Sequence, residues 1–455
     1  MPAVATTCSQ SSALPVAGAA EPGRAVSHSY WQRVGGMPLA TAAAPLPHRA
    51  TILIVGGGFA GLATALRIKE LDASADVVLL EARTVGYGAS GRNGGLMSPL
   101  AAPIWLTTAL NNPAHARAIN LLERKIAAAA EWARHIAPEA DVSAIDLALE
   151  SQGPIVDAGL AHISRTLDAA GLAHDWPPRT SHRGPRSLVL RAHTINPYRL
   201  AAGLAAEARR RGVTIAEQAP VRSIDDGGTD GARVILVDGR EIQAARVILS
   251  TNAYTPSLAL ARPPKARVVR NYMLATAPLG PELLACLTHA GGTSGGFVVE
   301  LNTAYVFYRV HQGRLVFGGI EKLRQTEGGD LDVPAAVMRG LRKHLARSLK
   351  GSPLPDIVEA WGGRYHMTST DLPIIGPAGE SSAIVHNVGY GGTGVALTLS
   401  LAPLAAAMAL GRPVEDQALA EIRDTMAGTR MPVAGALRFA AGVVGTWFAE
   451  RRPRR

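Results

Sequence analysis

Thr51-Ile-Leu-Ile-Val-Gly-Gly-Gly-Phe-Ala-Gly61, followed by Val77-Val-Leu-Leu-Glu81, constrains the fold of this chain more than any other stretch. It reads as a buried strand, a glycine turn, a helix, a second strand and an acid, the unit that holds the ADP half of a dinucleotide. Gly56 permits the tight turn after the strand. Gly58 lets the backbone approach a pyrophosphate, and Gly61 lets the helix pack close to the strand. The phosphates then sit on the positive end of the helix that begins near Phe59. Glu81 falls twenty residues beyond Gly61, at the tip of the second strand. A carboxylate there accepts hydrogen bonds from both ribose hydroxyls and repels a 2′-phosphate, so FAD or NAD is expected and NADP is not.

At 455 residues the chain has room for two domains. The net charge of +10 admits nucleic acid, an anionic membrane or an acidic substrate as partner. The basic residues are scattered, however. The dense clusters are Arg209-Arg210-Arg211, at the end of an expected helix where cations favour the dipole, and the C-terminal Arg451-Arg452-Pro453-Arg454-Arg455. Solvated surface charge explains both, and no nucleic-acid partner is expected. Cys8 and Cys286 are the only cysteines, and neither has a neighbour at metal-ligand or CxxC spacing. No metal site or disulfide framework is indicated, and a reducing cytoplasm fits. The first residues lack a basic segment followed by an apolar run, so no secretory signal is read. No run of about twenty uncharged apolar residues marks a transmembrane helix.

The expected fold class is α/β. A Rossmann-like dinucleotide domain of the glutathione reductase type is interrupted by a mixed or antiparallel β-sheet domain that carries the substrate. Residues 1–48 read as a disordered tail (1–28) and an extended arm (29–48). The nucleotide domain takes 49–108, 194–262 and 366–428, and the substrate domain takes 109–193 and 263–365. Residues 429–455 form an amphipathic, basic tail. Asn112 and Pro113 cap a helix over 113–136, and 197–211 reads as an amphipathic helix. Asp238-Gly239 turns a hairpin between 232–237 and 241–249. Alternating strands are expected at 272–276, 297–301, 305–310 and 315–318.

Two further glycine motifs follow the first. They are Gly86-Tyr-Gly-Ala-Ser-Gly-Arg-Asn-Gly-Gly95 and, after Trp361-Gly-Gly-Arg-Tyr-His-Met-Thr-Ser-Thr-Asp371-Leu-Pro373-Ile-Ile-Gly376, the stretch Asn387-Val-Gly-Tyr-Gly-Gly-Thr-Gly394. Together with Glu81, this set resembles the FAD-dependent D-amino acid oxidase family, whose members include glycine, sarcosine and dimethylglycine oxidising enzymes. Gly-Ala-Ser-Gly-Arg-Asn-Gly-Gly and the Ser29-Tyr30-Trp31 arm resemble its γ-glutamylputrescine oxidase-like branch. The resemblance runs from about residue 29 to about residue 425. It implies FAD held by Gly56, Gly58, Phe59, Ala60, Gly61, Glu81 and Ala82. Some relatives bind flavin covalently through a cysteine or histidine, but Cys286 reads as helix core and no histidine stands beside Ser90–Gly95, so non-covalent FAD is expected. Ser90, Arg92, Asn93, Gly94, Gly95 and Leu96 would wrap the diphosphate and flavin edge. Val221 would meet adenine through its backbone, and Thr251 and Asn252 would form a turn returning to the cofactor. Gly391, Gly392, Thr393 and Gly394 would aim helix amides at the flavin's pyrimidine edge, where oriented N–H groups favour the charge that reduction places there.

Family members take a hydride from the carbon beside an amine nitrogen, and the resulting imine hydrolyses to an aldehyde or keto acid. The substrate expected is therefore a small amine or amino acid, with oxygen or another electron carrier as the final acceptor. The flavin carries the chemistry, so no catalytic base is named. Candidate substrate residues are Tyr305 and Arg309, which share a face of one strand while Tyr308 points the other way, and Arg364, Tyr365 and His366. Amino-acid-oxidising relatives place a carboxylate-clamping arginine where this chain has Tyr365. Arg364 stands one residue early, and one residue reverses the face of a strand, which leans the reading towards an amine or an ω-carboxylated amine. A dehydrogenase feeding a quinone or another carrier is the alternative to an oxidase.

Overall fold

A computed structural model describes residues 28–36, 45–151, 153–176, 187–290, 296–301, 305–322, 329–349, 351–380 and 382–430. Of the tails expected at 1–28 and 429–455, residues 1–27 and 431–455 lie outside the described residues, as does the side chain of Cys286.

Two sheets divide the chain. The first has nine strands. At its centre Arg49–Val55 runs parallel to Val77–Leu80 on one side and to Glu241–Leu249 on the other, with Ile54 opposite both Leu79 and Ile248. Every residue of Val77–Leu80 is buried, as expected of a parallel strand covered on both faces. Thr214–Ala216 extends the sheet beyond Val77–Leu80, and Ile384–Val388 brings the C-terminal part of the chain back onto Glu241–Leu249. The expected hairpin pairs Ala232–Leu236 with Glu241–Leu249 across Asp238-Gly239.

The second sheet has eight strands, in the order Ile357–Met367, Arg267–Pro278, Arg314–Lys322, Val306–His311, Phe297–Leu301, Ser143–Ser151, Ser187–Thr194 and Leu96–Met97. It is antiparallel except where Phe297–Leu301 meets Ser143–Ser151. Period-two alternation gives each face its own core. Tyr272, Leu274, Tyr308 and Phe317 turn outward and pack with Leu341 and Leu345 of the helix Ala335–Ser348. Met273, Phe297, Phe307 and Trp361 turn inward, into the core shared with the nucleotide-side helices.

The structure differs from the sequence reading in three places. Tyr30–Gly35 is a short helix, not an extended arm. Ser29 and Gln32 close a reciprocal capping box at its start, a four-residue signature that the reading of an extended arm overlooked. Leu96–Met97, placed with the nucleotide segment, pairs with Ser187–Thr194 in the second sheet. The helix Pro113–Ile136, capped by Asn112 as expected, packs on the helices Gly394–Ser400 and Pro197–Arg210 of the nucleotide side. Among the described residues no single helix is long and apolar enough to cross a membrane.

Candidate active site

Between the two sheets lies a cavity of about 1040 Å³. That is at the upper end of the ~300–1,000 Å³ usual for ligand clefts, and gives room for a dinucleotide with a small substrate beside it.

The first glycine turn forms one end. Gly56 has φ +116°, and a Cβ there would stand 2.6 Å from the Ser250 carbonyl oxygen. A Cβ at Gly61 would stand 2.0 Å from the Gly56 carbonyl oxygen. Gly61 is therefore needed for packing and does not line the cavity, whereas Gly56, Gly58, Phe59 and Ala60 do. Gly58 has no side chain to cap the helix Phe59–Leu71, and the Phe59 N–H instead donates to Ser90 Oγ at 2.9 Å. Glu81 lines the cavity beside Ala82 and Val221, accepting from the N–H groups of Gly57 (2.8 Å) and Arg83 (2.9 Å). Each carboxylate oxygen retains a lone pair for a ribose hydroxyl. Burial raises the Glu81 pKa, and the two N–H bonds oppose that rise.

One buried amide joins this turn to the C-terminal motif. Asn387 donates to Thr64 Oγ1 and Ser250 Oγ, both at 3.1 Å, and accepts from the Tyr390 hydroxyl. It thereby ties the helix Phe59–Leu71, the end of the strand Glu241–Leu249 and the turn at Tyr390 together. Asn252 accepts from the Gly389 N–H at 3.3 Å, bringing the Thr251-Asn252 turn to the same rim. Thr251, Asn252, Gly391, Gly392 and Gly394 line the cavity. Thr393 does not; its hydroxyl donates to the Ala101 carbonyl at 2.9 Å.

The Ser90–Leu96 segment is held from behind. Three successive carbonyls accept from three buried side chains: Gly91 from Ser29 Oγ (2.7 Å), Arg92 from Trp361 Nε1 (2.9 Å) and Asn93 from Trp31 Nε1 (2.7 Å). Ser90, Arg92, Asn93 and Gly94 face the cavity, while Gly95 and Leu96 do not. A Cβ at Gly94 would stand 2.8 Å from the Phe307 ring, and one at Gly95 would stand 2.5 Å from the Ile195 carbonyl oxygen. Both glycines thus serve close packing. Arg92 is 3 % exposed, and none of its guanidinium nitrogens has a hydrogen-bond acceptor in range. Its guanidinium lies 4.2 Å from the Tyr87 ring centroid. Burial opposes its charge, but Tyr254, Tyr87 and Asp330 lie close enough to raise its pKa, yet its N–H groups lack acceptors, a donor set that fits an anionic cofactor.

The second sheet supplies the other end. Tyr305, Phe307, Met273, Asn271, Glu321 and Tyr365 line it. Burial raises the pKa of Tyr305 and holds that of Tyr365 well above the ordinary phenol value, so both remain neutral hydroxyls. Arg364 also borders the cavity, but it is ion-paired to Asp330, whose other oxygen accepts from Tyr254 Oη at 3.0 Å.

Two candidate residues do not reach the cavity. Arg309 shares the Tyr305 face, yet four residues of strand carry it roughly 13 Å along. There it is buried beneath the arm, donating to the Ile195 carbonyl at 3.2 Å and lying 5.1 Å from the Trp31 ring centroid. Burial lowers its pKa to about 10. His366 turns to the face opposite Tyr365 and is 1 % exposed. Tyr308 stacks on Phe317 in the outer core.

Residues 51–408 match the family model described as "FAD dependent oxidoreductase", designated DAO. The chain belongs to this family. The DAO-family protein is 26 % identical over 400 residues to a probable oxidoreductase OrdL of Rhizobium meliloti (strain 1021), covering 83 % of this chain and 87 % of that one. A shorter stretch of 44 residues, 10 % of each chain, is 57 % identical to the γ-glutamylputrescine oxidoreductase of Escherichia coli (strain K12). These matches agree with the branch named by the Gly88–Gly95 motif. The fold is shared with glycine oxidase from Geobacillus kaustophilus, at TM-score 0.64 and 19 % identity, over 81 % of this chain and 96 % of that one. The DAO-family protein is thus an FAD-dependent oxidoreductase. The glycine turn, the Glu81 carboxylate and Arg92 all line the same cavity.

Proposed function

We propose that this DAO-family protein oxidises a small amine at the carbon beside nitrogen, the imine then hydrolysing to an aldehyde or ketone, with oxygen as the final acceptor. The observation that carries this reading is that a single cavity joins the dinucleotide cradle to the inner face of the second sheet. FAD, when bound, supplies the hydride acceptor.

The residues of the chain bind, orient and exclude water. Glu81 and the Gly56–Gly58 turn fix the ADP half. Arg92 offers an otherwise unpaired positive charge to an anionic group. Phe307, Met273 and Tyr305 form an apolar wall against which a C–H bond is held. A low-polarity wall also favours the neutral form of the reacting amine, the form that can lose hydride. Arg364 is committed to Asp330, which supports an amine over an α-amino acid. The division of labour proposed gives cofactor binding to segments 49–108, 194–262 and 366–428, and substrate binding mainly to 263–365.

Anaerobic bleaching of the flavin absorbance by amines, N-methyl amines and D- and L-amino acids, followed by oxygen, tests this. Bleaching by amines with rapid recovery in oxygen is expected. Slow recovery would favour a dehydrogenase instead, and bleaching by α-amino acids alone would overturn the amine reading.

A further inference from the structure

The strand Arg314–Lys322 contains an irregularity that no cofactor-binding role explains. It pairs with Arg267–Pro278 in regular register from Ala275↔Val316 to Tyr272↔Gly319, and then the next partners are Arg270↔Lys322. One residue, Asn271, therefore opposes two, Ile320 and Glu321, which is a β-bulge. Gly319 has φ +147° and Ile320 has φ +61°. Positive φ at a β-branched residue is a strained backbone, and strain of that kind costs about 1–3 kcal/mol.

The bulge decides where Glu321 points. Regular alternation beyond Gly319, which is paired with the outward-facing Tyr272, would turn Ile320 inward and Glu321 outward. Instead Ile320 packs in the outer core, its Cδ1 close to Gly340 of the helix Ala335–Ser348, and Glu321 lines the cavity. Its carboxylate accepts from the Tyr365 hydroxyl and from the Asn271 side chain. Tyr305 lies within electrostatic reach, and the Tyr305 and Phe307 rings are 5.7 Å apart at their centroids. Among the described residues no cation is paired with Glu321. The nearby Arg364 is paired to Asp330 instead. A carboxylate walled by aromatic rings is the arrangement that recognises an organic cation.

We propose that Glu321, with Tyr305, Phe307 and Tyr365, binds a second, protonated nitrogen of the substrate, so that the enzyme selects diamines or polyamines over monoamines and ω-amino acids. This rests on the amine reading above and deepens it. One nitrogen stays neutral at the reacting carbon, and the other is held as an ammonium by Glu321. An ω-carboxylate at the same place would meet like charge.

The test uses FAD-loaded protein under anaerobic conditions with a matched series: an α,ω-diamine, the alkylamine of equal length and the ω-amino acid of equal length. Binding is read from perturbation of the flavin spectrum, and turnover from its bleaching. The diamine is expected to bind at least roughly tenfold more tightly than the monoamine, the low end for a charge-assisted hydrogen bond, with the ω-amino acid weakest. Glu321→Gln should weaken the diamine at least roughly tenfold more than the monoamine, on the same grounds. Equal affinities across the series in the unsubstituted protein would overturn the proposal without any need for the variant. So would a variant that weakens diamine and monoamine alike. Tight, selective diamine binding without bleaching would support the subsite while refuting amine oxidation, so the two failures are distinguishable.

Discussion

Trp31→Phe tests whether the N-terminal arm holds the cofactor loop in its binding geometry. Trp31 is fully buried, and its indole N–H donates to the Asn93 carbonyl at 2.7 Å. A phenyl ring keeps most of the packing but has no donor. The Asn93 carbonyl is then a buried acceptor without its partner, which costs about 1–3 kcal/mol. The smaller ring forfeits roughly a further 1 kcal/mol of apolar burial. Together the loss of folding stability is about 2–4 kcal/mol. The loop can relax in the FAD-free protein and must be straightened again on binding. If relaxation recovers about 1.4 kcal/mol, the FAD Kd rises roughly tenfold. The assay is denaturant unfolding of the FAD-free and FAD-loaded protein, with FAD affinity by fluorescence quenching. Trp361→Phe, acting on the neighbouring Arg92 carbonyl, should do the same, and the two should be non-additive because the carbonyls belong to adjacent peptide units. Reduced stability with unchanged FAD affinity would refute the coupling, and unchanged stability would refute the hydrogen-bond argument itself.

Glu81→Ala should weaken FAD by roughly 10–100-fold through the lost ribose contacts, and unchanged FAD occupancy on gel filtration would overturn that assignment. Arg364→Ala removes the nearer of the two arginines paired with Asp330, with Arg270 remaining at 3.8 Å, so comparable loss on neutral and carboxylated amines is expected in steady-state assays; selective loss on carboxylated amines would show that Arg364 exchanges Asp330 for substrate. His311 is held neutral by burial and by Arg309, with its pKa lowered to about 4, and its Nδ1 lies 2.8 Å from the Tyr30 hydroxyl. Its folded pKa lies below the unfolded value of about 6.5, so its contribution is fully present above pH ~6.5 and is lost as pH falls towards ~4. The loss is at most about 3 kcal/mol, and a Tm–pH profile that Ser, Gln or Asn at position 311 fails to flatten over this range would contradict it.

The dinucleotide cradle was legible in the sequence because its physics is local. A strand, a turn at φ +116° that suits glycine, a helix start and an acid lie within thirty-odd residues, and each has one structural meaning. The helix Pro113–Ile136, capped by Asn112, was legible for the same reason, and the capping box of Tyr30–Gly35 was overlooked although it is equally local. What holds the cradle together was not. The carbonyls of Gly91, Arg92 and Asn93 are matched to donors at positions 29, 361 and 31, and no periodicity announces a tryptophan N–H as the partner of a particular carbonyl. Asn387 stood inside a quoted motif, yet its role depends on Thr64 and Ser250, more than a hundred residues away in sequence.

The substrate end shows the sharper limit. Period two sorts residues by face but says nothing about position along the strand, so Tyr305 and Arg309 looked equivalent and are not. Arg309 is hidden beneath the arm helix, whose capping box had not been read. Period two also assumes that alternation is unbroken. Between Gly319 and Lys322 it breaks by one residue, and that residue turns Glu321 from the outer core to the cavity. Without the bulge the stretch of wall around Tyr305, Phe307 and Tyr365 would be aromatic and neutral; with it, that stretch carries a carboxylate beside two phenols. A strained bulge that brings an ionisable side chain into a pocket costs stability that the packing of Glu321 itself does not offset. The strain is therefore best accounted for by a ligand that the carboxylate it delivers to the cavity can bind, and a cation is such a ligand.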